Sequence, residues 1–131
     1  MAFFGNVPLY VFDLLLLHEI KSDDIFLLTH CDMDRDHVFC DTYVGITADT
    51  LFVLSGSEAL QSSKKSLETV FKEQLFESYE LSDFDNLWVE ELLSRSRLVA
   101  HTTNDEIILI TDMSNFCKND AGLFAKYFHS I

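Results

Sequence analysis

The chain has 131 residues, 48% of them apolar and 13% aromatic, which suits one folded domain with a real core and excludes disorder. Its 22 acidic against 9 basic residues give a net charge of −13, a field that repels phosphate backbones and anionic head groups and sets nucleic acid aside as a partner, with a local basic cluster at Lys64, Lys65 and Lys72. Three cysteines without framework spacing fit the reduced thiols of a cytosolic protein better than a disulfide scaffold.

After a lead-in over residues 1–6, the first predicted element is a helix over 7–20, with Asn6 near its cap and Pro8 in its first turn. Leu9, Val11, Phe12, Leu15, Leu16 and Glu19 recur at spacings close to three and four, while Leu14 and Leu17 make the helix apolar nearly all round. Asp13 interrupts the apolar run and His18, Glu19 and Lys21 end it, so it falls short of the roughly 20 residues of a membrane span. No Lys or Arg precedes Lys21, as a secretory signal would require. Such a helix docks on a sheet, pairs with a second copy in a homodimer, or covers a neighbouring surface.

A sheet is expected over 25–112. Ser22-Asp23-Asp24 breaks the helix, strands at 25–33 and 37–46 flank a turn at Asp34-Arg35-Asp36, and a third strand at 51–54 follows another short turn. Residues 55–65 are polar and Ser-rich and read as a loop. Over 66–81 two periods compete: Leu67, Val70, Phe71 and Leu75 form a helical stripe, whereas 75–81 alternates as a strand. A strand over about 70–81 agrees better with the strand-like segments that follow, at 87–93, 97–102 and 106–111, the last two joined by turn chemistry at Asn104-Asp105.

Ser114 and Asn115 offer helix caps, and Cys117, Ala121, Phe124, Phe128 and Ile131 form one stripe, widened by Leu123 and Tyr127, of a closing helix over 114–130. Gly122 costs about 1 kcal/mol of propensity there and is expected to let the helix lie close to a strand. The class is α+β. Seven antiparallel strands in a three-plus-four order with a capping C-terminal helix and an extra N-terminal helix match a pleckstrin-homology-like barrel, in a single domain spanning 1–131.

Little here carries chemistry. His30, Cys31, His37 and Cys40 are zinc-type ligands, but a turn centred on Arg35 sets His30 opposite Cys40, Cys31 opposite Phe39 and Met33 opposite His37. Alternation then puts His30 and Cys40 on one face and Cys31 and His37 on the other, so neither a tetrahedral quartet nor a Cys31–Cys40 disulfide follows. Asp32, Asp34 and Asp36 mimic the start of a calcium loop, yet its required Gly and Glu places hold His37 and Tyr43. Cys117 reads as core, His101 and His129 have no visible partner, and Glu90 and Glu91 point to opposite faces. Trp88, Phe76, Phe84, Phe116, Phe124 and Phe128 are expected in the core, and neither GxxxxGK[ST] nor GxGxxG occurs. No catalytic, cofactor-binding or metal residue is assigned. Two alternatives remain open: a small metal- or thiol-dependent enzyme on His30, Cys31, His37 and Cys40, and a free-standing sensor of a small apolar ligand held inside the barrel.

Trp88-Val89-Glu90-Glu91-Leu92-Leu93, Arg97-Leu98-Val99-Ala100, Asn115-Phe116-Cys117 and Gly122-Leu123-Phe124-Ala125-Lys126-Tyr127 resemble an N-terminal accessory region of bacterial exporter-type ABC transporters. The resembling patches lie mostly within residues 75–128 and are packing patterns, with no counterpart of the family's ATP-binding residues. The resemblance implies a non-catalytic, cytoplasmic interaction or regulatory piece of a longer protein. It would sit at the cytoplasmic face of the membrane with the rest of its transporter as partner, and the N-terminal helix and one sheet edge would be its contact surfaces.

Overall fold

The computed structural model describes residues 2–62 and 67–130 and is an α+β chain of two sheets and two α-helices. The first sheet runs in the order β1 (Ala2–Phe4), β2 (Leu27–Met33), β3 (Phe39–Ile46), β4 (Thr50–Ser62) and β5 (Leu67–Glu80), with β1 parallel to β2 and the other pairs antiparallel. The second is the antiparallel set β6 (Phe84–Glu91), β7 (Ser96–Thr102) and β8 (Ile107–Met113). Helix α1 (Leu9–Leu17) precedes β2 and α2 (Lys118–Phe128) follows β8.

Two hydrophobic clusters lie on opposite faces of the first sheet, and strand alternation explains the division. Leu27, Cys31, Val44, Ile46, Leu51 and Val53 face the second sheet, meeting its Leu87, Leu98, Ala100 and Ile110, with Ala121, Phe124 and Ala125 of α2 closing the cluster. Their neighbours Leu28, Tyr43, Phe52 and Leu54 face the other way and pack on Val11 and Leu15 of α1. Gly45 belongs to this second arrangement: it pairs with Phe52 across β3 and β4, and a Cβ there would fall 2.1 Å from the Phe52 ring.

The sheets are joined where β2 meets β8. The Thr111 hydroxyl donates to the Met33 carbonyl at 2.7 Å, the Ser114 amide donates to Asp32 Oδ1 at 2.8 Å, and the Ser114 hydroxyl donates to the other Asp32 oxygen. Beside them the buried Asp112 carboxylate lies 3.5 Å from Arg95 Nε and 3.6 Å from His37 Nδ1.

Several expectations need correction. Among the described residues there are eight strands in a five-plus-three division in place of three plus four, because the lead-in contributes β1, whose Ala2 amide donates to the Phe26 carbonyl at 2.9 Å, and because β5 pairs with β4 in the first sheet. The predicted loop at 55–65 is strand as far as Ser62, while Lys64 and Lys65 lie outside the described residues. Polarity misled there, since buried Ser55 hydrogen-bonds Thr42 across the sheet at 2.9 Å and Gly56 sits at a bulge that brings the Lys72 carbonyl within 2.1 Å of where a Cβ would stand. The competing helical stripe at 67–75 is part of β5, its backbone paired with β4 except at Gln74, which the bulge leaves without a partner.

The first hairpin is also displaced. His30 pairs with Tyr43 and Cys31 with Thr42, and a bulge then puts Met33 opposite Phe39. Asp34 accounts for this, because its carboxylate accepts the amides of Asp36 (2.9 Å) and Val38 (3.1 Å) while His37 adopts φ +66°, carrying the turn past residue 36.

Both helices are shorter than predicted. Helix α1 closes in a Schellman arrangement: Glu19 takes φ +65°, its amide donates to Leu16 O, and the Ile20 amide reaches back to Leu15 O, both at 3.0 Å. Helix α2 begins at Lys118 with no side-chain cap, because Ser114 is engaged by Asp32 and Asn115 Oδ1 accepts the Ser96 hydroxyl at 2.9 Å. On α2 the stripe of Ala121, Phe124 and Phe128 packs inward, but Leu123 and Tyr127 are exposed and Ile131 lies outside the described residues. Gly122 faces open space, with nothing within 4 Å of a Cβ there, so it does not mediate a close approach to a strand.

Candidate interaction surface

Helix α1 is held on the first sheet by its inner face. Val11 and Leu15 are fully buried, the Tyr10 hydroxyl donates to Glu58, and the Tyr10 ring lies 5.7 Å from Phe71. At the helix end the His18 ring stacks on Phe76 with centroids 3.7 Å apart and planes 7° from parallel, and its Nε2 donates to Glu73 at 2.5 Å. The helix is therefore clamped to the long β4–β5 hairpin at both ends, and its orientation is set.

What remains outside is unusually apolar. Leu9 is 84% exposed, Leu17 79% and Leu16 56%, and Phe3 of β1, 44% exposed, packs against Phe12 at 5.5 Å between ring centroids. Phe3, Leu9, Phe12, Asp13 and Ser22 line an open recess of about 530 Å³. Scattered exposed leucines are ordinary, but Leu9 and Leu16, seven residues apart on one face of α1 with Leu17 beside them, form with the Phe3 and Phe12 recess an apolar surface of the kind that marks an interaction site. The acidic residues nearby in the chain, Asp13, Glu19, Asp23 and Asp24, are all exposed, against Lys21 as the cation among them. No helix among the described residues is long and apolar enough to cross a membrane.

The four residues of the candidate zinc cluster are not brought together. His30 Nε2 bonds Asp41 at 2.9 Å, Cys31 is buried between the sheets, Cys40 Sγ lies 3.6 Å from the Thr42 hydroxyl, and His37 faces Asp112. Among the described residues no three His, Cys, Asp or Glu side chains converge as a metal site.

The thiols are also unfavourable nucleophiles. Burial pushes Cys31 well above its usual value and Cys40 upward as well, and burial followed by the Asp32 charge raises Cys117 to about 11, so each is a protonated thiol at neutral pH.

The acidic turn is committed to structure. Asp34 caps the turn amides and Asp32 holds Ser114; burial alone would raise the Asp32 carboxyl, but the Ser114 hydroxyl and amide outweigh it and hold the carboxyl below its ordinary value.

Other sequence candidates find separate partners. Glu90 pairs with Arg97 at 2.9 Å and Glu91 with Lys118 at 3.6 Å, and His129 Nε2 donates to the Leu87 carbonyl at 3.2 Å. His101 bridges Asp85 at 2.5 Å and Asp105 at 2.8 Å, a clamp the sequence left without a partner because Asp85 belongs to the neighbouring strand. Of the aromatic residues expected in the core, Phe84 and Phe124 are buried, Phe76, Trp88 and Phe128 half-buried, and Phe116 is 96% exposed. A second recess, of about 520 Å³, is lined by Asp49, Glu80 and Asp85 as well as Phe84 and Phe128, which is acidic lining unlike that of an apolar ligand cavity.

In comparisons with known proteins, no family model matches the chain, and neither a curated protein nor a solved structure matches it significantly.

Proposed function

We propose that the chain is a non-catalytic interaction domain with a pleckstrin-homology-like construction, serving as a cytoplasmic accessory part of a bacterial ABC transporter. Support for the construction comes from strand order: four antiparallel strands, β2 to β5, then three, β6 to β8, and a helix packed between the sheets, with β1 added along the edge of β2. Support for the transporter context comes from the resembling patches over residues 75–128. The observation that carries the interaction reading is the outer face of α1, where Leu9, Leu16 and Leu17 are exposed on a helix whose inner face already packs the core.

Two measurements test it. The natural reading frame beyond codon 131 should continue into apolar stretches of about 20 residues and a GxxxxGK[ST] loop, and a stop codon there removes the transporter reading. In the full-length protein, a Leu16→Cys thiol should react with maleimide more slowly than in the isolated 131-residue chain, as read by mass spectrometry of that peptide. Equal rates would mean that the α1 face stays uncovered and that contact with the transporter is made elsewhere.

A further inference from the structure

The chemistry of the α1 recess restricts what can cover it. We propose that its occupant is an amphipathic helix whose apolar side is bordered by Lys or Arg, and that a second copy of this chain is not the occupant. The inference rests on the interaction reading and adds the partner's chemistry.

Three observations carry it. First, Asp13 lines the same recess as Leu9 and Phe12 and stands four residues from Leu9 and three from Leu16, so a partner seated on the leucines also covers the carboxylate. Desolvating that charge without a cation costs an energy comparable to what burying the leucines returns, whereas a Lys or Arg beside the partner's apolar residues offsets it. Asp13 is the charged residue lining this recess, while Glu19, Asp23 and Asp24 line a separate recess formed with Phe26 and Thr47. Second, the outer face of a helix offers no free amide or carbonyl, so an extended peptide laid on it would bury its own backbone groups unpaired. A helix arrives with those groups satisfied and presents ridges that fit beside those of α1. Third, a second copy brings the same acids. A two-fold contact through this face would cover an Asp13 carboxylate from each of two chains that each carry −13, and the same field disfavours an anionic membrane surface as the cover.

The probes are two synthetic helical peptides of about 18 residues with one leucine face, flanked by lysines in one and by glutamates in the other. Binding to the wild-type chain, Leu16→Asp and Asp13→Lys is read by fluorescence anisotropy at physiological salt, with the fold of each variant checked by circular dichroism. The lysine peptide should bind the wild type at least about tenfold more tightly than the glutamate peptide, and Asp13→Lys should narrow or reverse that preference. Leu16→Asp should weaken the lysine peptide although it adds a negative charge. This sign separates docking from diffuse attraction, which Leu16→Asp would leave unchanged or strengthen, overturning the proposal.

Equal binding of both peptides, lost in Leu16→Asp, would overturn the charge requirement and leave the interaction surface standing. Binding of neither peptide would overturn the surface itself. Sedimentation showing a wild-type dimer abolished by Leu16→Asp would assign the outer face of α1 to a second copy and overturn the proposal.

Discussion

The two helices lie on opposite faces of one sheet and use their apolar residues differently. In α2 the inward stripe of Ala121, Phe124 and Ala125 is buried between the sheets, with polar or small residues over much of the rest. In α1 burial of Val11 and Leu15 completes the packing while Leu9, Leu16 and Leu17 stay outside. Both helices leave apolar side chains outside, but in α2 these are the half-covered Leu123 and Tyr127, whereas α1 leaves Leu9 and Leu17 more than three-quarters exposed.

Substitutions can break this comparison. Phe124→Ala should cost about 3–5 kcal/mol and Leu15→Ala about 2–5 kcal/mol in urea unfolding, since both side chains are fully buried; a loss below about 1 kcal/mol at Leu15 would mean that α1 is not anchored as described. Each helix also carries one residue that suits the other's needs. Glu19 holds a left-handed conformation that favours Gly, and Gly122 sits mid-helix facing open space where Ala fits. Glu19→Gly and Gly122→Ala should each raise stability by up to about 1 kcal/mol, and a Gly122→Ala variant that loses stability would show that the outer face of α2 is covered. Leu16→Asp in the isolated chain should change stability by no more than about 0.5 kcal/mol, because nothing in the fold leans on its outer part.

The smallest effect concerns pH. The hydrogen bonds to Asp105 and then Asp85 raise the His101 pKa above 6.5. Because the folded value is the higher one, the clamp contributes its full stability below the unfolded value and loses it as pH rises through the folded value. His101→Gln should flatten the stability profile on the alkaline side of 6.5, and an imidazole NMR titration at or below that value would contradict the clamp.

Side-chain periodicity is a local property, so the α+β class, the closing helix with its buried Phe124 stripe, and strands wherever β-branched residues alternate are legible in the order of residues alone. That order also marked α1 as more apolar than one packing face requires. It could not say which side of α1 faces outward, since a helix apolar all round has no preferred face until a sheet supplies one. Tertiary structure decided the rest. It recruited β1 beside β2, it extended a Ser-rich segment into a strand through pairing with Thr42 and the Gly56 bulge, and it moved the first hairpin's register through the Asp34 turn, so that His30 faces Tyr43 and not Cys40. Each of these depends on hydrogen bonds between residues distant in sequence or on a turn's left-handed residue, and the alternation of apolar and polar side chains does not encode them.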